Sequence, residues 1–254
     1  MGQALIGGWL DQGFAAKNIL VVEPAGLPAS LAAVTVVTDI HDIPSAFTPT
    51  VILLAVKPQV LGTVLPDYAR FSNATFLSIA AGKPLSFYSG ILGPSAAIVR
   101  AMPNTPASIR KGITVCVANQ QVSDKARTLC SSLLETVGLV DWIEDESLMD
   151  AVTAVSGSGP AYVFLLAEVM AAAGMRNGLP EALANKLARA TVAGAGELLG
   201  KSIDSATQLR NNVTSPGGTT AAALEVLMDD KRGISDLMRE AVAAAIKRGQ
   251  DLAK

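Results

Sequence analysis

The chain is short of aromatic side chains, of charge and of cysteine. Phe, Trp and Tyr make up 4% of its 254 residues although half of the chain is apolar. The apolar surplus therefore lies in Ala, Val, Leu and Ile. The two cysteines, Cys116 and Cys130, have no metal-ligand spacing and no third or fourth partner, so no metal is expected. A reducing, cytoplasmic compartment is the default for such a chain. The single histidine, His41, lies between a strand and Pro44 and reads as a loop residue. Net charge is −2 and the 20 basic residues are scattered, which argues against nucleic acid as a partner. The longest apolar run, 160–174, is interrupted by Glu168 and falls short of the roughly 18 residues a membrane span needs. No signal peptide is expected ahead of the first element. With membrane set aside, a mean hydropathy of +0.40 calls for a large apolar subunit interface.

What is present falls into two halves. In the first, β-branched runs at 19–23, 34–37, 51–56, 76–80, 97–100, 113–117 and 139–143 read as strands. Helical stretches at 59–71, 85–92 and 123–136 alternate with them. Near-continuous apolar runs such as 51–56 suit strands buried on both faces. The alternation predicts an α/β Rossmann-like doubly wound domain over 1–145. Beyond Asp145 the strand pattern stops. Helices are expected over 147–174, 181–199, 203–210, 216–228 and 232–252, rich in Ala and Gly. Residues 146–254 are read as an all-α dimerisation and substrate domain.

A dinucleotide fold opens with a strand and a Gly-rich turn that brings pyrophosphate to a helix N-terminus. Here Gly2 leads straight into an amphipathic helix, and it reads as the third glycine of such a motif. The first strand is then expected upstream of Met1, in about 10–15 further residues. Glu23 ends a strand about 20 residues after Gly2, where an acid hydrogen-bonds a ribose 2′-hydroxyl; otherwise it is a solvated strand end. Ala55, Val56, Lys57 and Pro58 follow the strongest strand, at the end where open α/β sheets bind ligands. Lys57 is either a phosphate or ribose contact or a plain surface lysine. Ala80 and Ala81, in Ser78-Ile-Ala-Ala-Gly82, leave room for a nicotinamide. Asn104, in Arg100-Ala-Met-Pro-Asn104, lies in a polar turn between prolines and is read as a cofactor contact, the alternative being just a loop.

Two stretches of the helical half are chemically unusual. Val155-Ser-Gly-Ser-Gly-Pro-Ala-Tyr162 sets glycines inside an apolar helix pattern, where each costs about 1 kcal/mol relative to alanine. Close approach of another helix or of a ligand would account for them. In Val213-Thr-Ser-Pro-Gly-Gly-Thr-Thr220, Ser215 suits an N-cap and Pro216 the first helical position. Gly217 and Gly218 would then present backbone N–H groups at a positive helix end, suited to a carboxylate. Without further context this is also simply a well-capped helix.

Residues 151–162 and 209–220 together resemble the signature of pyrroline-5-carboxylate reductases. Residues 55–58, 78–82 and 100–106 match that family's cofactor-side motifs in the same order. The resemblance covers essentially the whole chain. It implies a Rossmann domain, a helical domain interlocked with a partner subunit, and assembly of dimers into larger rings. Carried over by position, substrate meets Ser215, Gly217, Gly218, Thr219 and Thr220, with Glu146 and Asn212 nearby. Cofactor contacts fall on Met1, Gly2, Ala55, Val56, Lys57, Ala80 and Ala81. The implied reaction is hydride transfer to the imine carbon of 1-pyrroline-5-carboxylate, with Thr220 hydrogen-bonded to the ring nitrogen. The family mostly favours NADPH, whereas a carboxylate at Glu23 would repel a 2′-phosphate and leaves NADH open. A β-hydroxyacid dehydrogenase would need a lysine in the long helix, and 156–174 contains none. The rival of another class is a helical oligomer that has lost its cofactor and serves as a scaffold.

Overall fold

The computed structural model describes residues 1–253. Its chain divides into two compact units, one of Met1–Gly157 joined by the end of the chain from Ile246, the other of Ser158–Ala245.

In the first unit, helix α1 (Gly2–Asp11) is followed by strands β1 (Leu20–Val22) and β2 (Thr35–Val37), which form a parallel pair of their own. The main sheet has the order β3 (Val51–Leu54), β4 (Thr75–Ser78), β5 (Ala97–Met102), β6 (Gly112–Ala118), β7 (Gly138–Trp142). Helices α2 (Leu61–Tyr68), α3 (Leu85–Leu92) and α4 (Asp124–Glu135) connect these strands. The pairs are parallel except β5 with β6. That reversal follows from chain length, because a parallel return needs a crossover of about a dozen residues or more. The link from Met102 to Gly112 has room only for the 3₁₀ turn Thr105–Ile109. Among the described residues no strand joins the β1–β2 pair to β3.

Strand alternation sends side chains to two separate cores. Phe76 and Ile98 pack with Leu61, Leu65 and Tyr88 of α2 and α3. Leu77 and Val99 pack with Leu5 and Trp9 of α1 and Leu134 of α4. Covering both faces is what the unbroken apolar runs required. Trp9 also donates its Nε1–H to the Leu133 carbonyl at 2.8 Å, which ties α1 to α4. Ser123 caps α4, accepting the Ala126 N–H at 3.2 Å.

The change of character near 145 marks where strands end, but packing puts the division after Gly157. The intervening residues form a 3₁₀ turn, the short helix α5 (Met149–Val152) and a π-turn over Thr153–Gly157. They belong to the α/β unit, and Met149 and Ala154 within them are buried. The Met102 side chain also ends against the Cα side of Gly157, where a Cβ would have to displace its terminal methyl.

The second unit is built on α6 (Gly159–Arg176) and α7 (Glu181–Lys201), joined by a tight turn with Gly178 at φ +93°. The buried residues of this pair are Ala171, Ala184 and Ala188, so the helices approach through small side chains. Large apolar residues are left outside: Phe164 is 66% exposed, and Leu165, Leu198 and Leu199 are also exposed. By length and composition, the helical run Glu146–Arg176 could also cross a membrane. Helices α8 (Ala206–Asn212) and α9 (Thr219–Leu227) follow, and α10 (Ile234–Ala253) returns to the first unit.

Candidate active site

Strands β3, β4 and β5 are parallel and in register, Leu54 with Ser78 and Ser78 with Arg100, so their carboxyl ends form one rim. Ala55, Val56 and Lys57 leave β3 there and are exposed. Pro58 opens a 3₁₀ turn with Lys57 as its N-cap, which delays the α-helix to Leu61. Ala80 and Ala81 leave β4 on the same rim, followed by Gly82 at φ +76°. Gly2 starts α1 with Met1 as N-cap and no side-chain cap. A Cβ at Gly2 would stand 3.2 Å from Ala55 Cβ. A positive helix end thus lies directly against the β3 rim, the close helix–strand packing that a dinucleotide pyrophosphate cradle requires.

Glu23 follows β1, and its N–H donates to the Val37 carbonyl at 3.0 Å. Its Oε1 accepts the Ala25 N–H at 3.1 Å, so one carboxylate oxygen shapes the local turn. No Lys or Arg occurs from Glu23 to Val37. This stretch therefore carries no positive side chain of the kind that would neutralise a 2′-phosphate.

Asn104 is tied into the fold on both sides of its amide. Its Oδ1 accepts the Ile113 N–H at 3.0 Å, and its Nδ2 donates to Ser156 Oγ at 3.4 Å. It therefore braces the π-turn segment against β6. Glu146 also belongs to the α/β unit. Its Oε1 accepts the Leu85 N–H at 2.8 Å and an Arg100 N–H at 2.9 Å. Nearby, Ser78 Oγ and Tyr88 Oη are 2.6 Å apart, and both residues are fully buried. Burial pushes the Tyr88 phenol up, while the Ser78 bond and the Arg100 charge pull it back. This polar cluster is not visible as a motif. Its one trace in the sequence is a serine and an arginine inside otherwise apolar strands.

In the helical unit, the expected cap at Ser215 is corrected. Helix α9 begins at Thr219 with Gly218 as N-cap and no side-chain cap bond. Pro216 and Gly217 instead occupy the centre of a tight turn, closed by the Gly218 N–H on the Ser215 carbonyl at 3.0 Å. Gly217 has φ +68°, the left-handed value a type II turn needs after proline. The turn uses up the residues that would have been the first helical turn. It leaves the Thr219 and Thr220 amides at the start of α9 without a side-chain cap, with Thr220 partly buried. Asn212 ends α8, where its Oδ1 accepts from Gln208 Nε2 at 2.7 Å. The turn, Thr219, Thr220 and Asn212 share the second unit; Glu146 and the rim residues share the first.

The family profile described as "Pyrroline-5-carboxylate reductase dimerisation" matches residues 146–252. A pyrroline-5-carboxylate reductase from Synechocystis sp. is 42% identical, with 96% of this chain and 91% of that protein covered. The structure of a pyrroline-5-carboxylate reductase from Coxiella burnetii superposes with a TM-score of 0.90 at 33% identity, covering 100% of this chain and 95% of that one. A Plasmodium falciparum pyrroline carboxylate reductase, solved with NADP bound, gives a TM-score of 0.83 at 28% identity over 100% of this chain and 95% of its own. The exposed apolar helices of the second unit are thus the family's dimerisation region. With a rim that fits a dinucleotide, an uncapped helix start behind a Pro-Gly turn, and this extent of identity, the chain belongs to the pyrroline-5-carboxylate reductase family.

Proposed function

We propose that the chain reduces 1-pyrroline-5-carboxylate to L-proline with a reduced nicotinamide dinucleotide. The observation that carries this reading is the start of α9, in a chain of this family. There the Pro216-Gly217 turn presents uncapped amides beside two threonine hydroxyls. Backbone N–H groups at a positive helix end stabilise a carboxylate without bringing in a titratable side chain. Gly217, Gly218 and Thr219 would hold the substrate carboxylate, with Ser215 and Asn212 at the margins.

The coenzyme, when bound, supplies hydride to the imine carbon. Thr220 hydrogen-bonds the ring nitrogen and orients the proton that the product amine keeps. A threonine hydroxyl is a weak acid, so positioning of an already protonated imine carries more of the rate than proton donation. Met1, Gly2, Ala55, Val56, Lys57, Pro58, Ala80 and Ala81 would line the coenzyme along the rim, with Glu23 at the adenosine ribose. Asn104 braces the end of β5 and acts on the coenzyme through that loop. Two subunits pair through the helical unit, and such dimers assemble into a larger ring. Two buried, unpaired cysteines suit a reducing cytoplasm.

Purified protein assayed with pyrroline-5-carboxylate should oxidise NADH or NADPH stoichiometrically with proline formed. Coenzyme binding without turnover on this imine would redirect the substrate assignment. Absence of coenzyme binding would support the scaffold reading.

A further inference from the structure

The loop bearing Ala80 and Ala81 runs from the end of β4 to the start of α3, and a buried polar cluster grips it at both ends. At its start, Ser78 Oγ accepts the Ala80 N–H at 3.3 Å and pairs with Tyr88 Oη at 2.6 Å. At its end, Leu85 is the first residue of α3, and the N-cap, Pro84, offers no side-chain acceptor. The missing cap comes instead from Glu146, whose Oε1 receives the Leu85 N–H at 2.8 Å. Arg100, buried on β5, holds the same oxygen at 2.9 Å. Ser78 and Arg100 are register partners on adjacent parallel strands, so their side chains leave the sheet on the same face, the one covered by α3.

We infer that Glu146, Arg100, Ser78 and Tyr88 are positioning residues that fix the 79–84 loop for the coenzyme, with Glu146 acting as the cap of α3. The arrangement has a physical rationale. A loop of Ala, Ala and Gly has no side chains with which to anchor itself, and Gly82 at φ +76° adds freedom. Order must therefore be imposed from outside. Charge-assisted bonds in a partly desolvated site are about twice as strong as neutral ones, and Arg100 holds the Glu146 carboxylate in place at 2.9 Å. Glu146 is also the first residue of the stretch that leads into the helical unit.

The inference rests on the coenzyme reading above. The test is NADPH and NADH binding by fluorescence titration, with steady-state kinetics and thermal melts, on wild type, Glu146→Ala, Glu146→Gln and Ser78→Ala. Glu146→Ala should raise the coenzyme Kd roughly tenfold, the loss of one such bond, with substrate KM at saturating coenzyme nearly unchanged. Glu146→Gln keeps an acceptor for Leu85 and should recover most of the affinity. Ser78→Ala, which frees the other end of the loop, should shift Kd in the same direction. A lower Tm with unchanged coenzyme Kd would reduce the cluster to a structural role and overturn the inference. So would a raised substrate KM at constant coenzyme Kd, which would make Glu146 a substrate ligand. If Glu146→Ala does not fold, Ser78→Ala decides: unchanged coenzyme Kd in that variant sinks the clamp. Failure of the wild type to bind either coenzyme removes the underlying reading itself.

Discussion

Gly2 and Ala55 meet closely: a Cβ at position 2 would lie 3.2 Å from the Ala55 Cβ, tighter than side chains ordinarily pack. This contact sets how closely the positive end of α1 approaches the β3 rim. Gly2→Val should push the helix start away and raise the coenzyme Kd by about tenfold to a hundredfold, since a displacement of about 1 Å has that scale of effect. Coenzyme titration of the variant checks it. An unchanged Kd would show that the pyrophosphate does not use this helix end.

Thr220→Ala should lower kcat by roughly 10–1000-fold with little change in substrate KM, because the lost bond strengthens as the ring nitrogen becomes an amine. Stopped-flow measurement of coenzyme oxidation separates this from slow product release. Wild-type kcat in the variant would remove Thr220 from the mechanism.

Coenzyme choice should turn on Glu23. With no basic residue from Glu23 to Val37, nothing in that stretch neutralises a 2′-phosphate. Glu23→Ser is expected to raise kcat/KM for NADPH relative to NADH by about tenfold, the effect of removing one like-charge repulsion. A strong NADPH preference already present in the wild type would mean that the carboxylate turns away, in keeping with its bond to the Ala25 N–H.

The dimerisation face should be sensitive to charge. Phe164 is 66% exposed on one subunit, amid an apolar face of α6. Phe164→Glu would bury a carboxylate in the interface, and sedimentation should show monomers where the wild type forms dimers or larger assemblies. A dimer that survives this substitution would put the interface on another face.

Both thiols should be silent in the folded chain. Burial pushes the Cys130 thiol from 9.0 up to about 11, and burial with Cys130 nearby raises Cys116 as well. At alkaline pH the unfolded chain gives up these protons first. The stabilisation is therefore complete below 9.0 and is lost as pH rises toward about 11. At about pH 8, a thiol reagent should label neither cysteine natively and both after denaturation, and the unfolding midpoint should fall above pH 9.

Much of the architecture follows from local pattern. The strand expected over 76–80 became β4 at Thr75–Ser78, with all four residues buried. Helix α3 occupies Leu85–Leu92, the bounds its spacing implied. Ser123 capped α4 because a hydroxyl before a helical pattern satisfies an amide that sequence alone leaves open. The signature at 209–220 carried the family, since it depends on residue identity rather than on packing.

Other features were settled by geometry that periodicity does not carry. Ser215 suited a helix cap as well as a turn. The choice went to the turn because Pro216 and Gly217 together stabilise the left-handed corner. The reversal of β6 depended on the short link after Met102. Glu146 was expected near the substrate, and its bonds to Leu85 and Arg100 could not be read from its place in the chain. Periodicity and propensity act over a few residues, so the sequence by itself determined where strands and helices lie, and its motifs determined the family. Which buried polar groups meet depended on the sheet bringing β4, β5 and the chain after β7 together, and only the tertiary structure decided that.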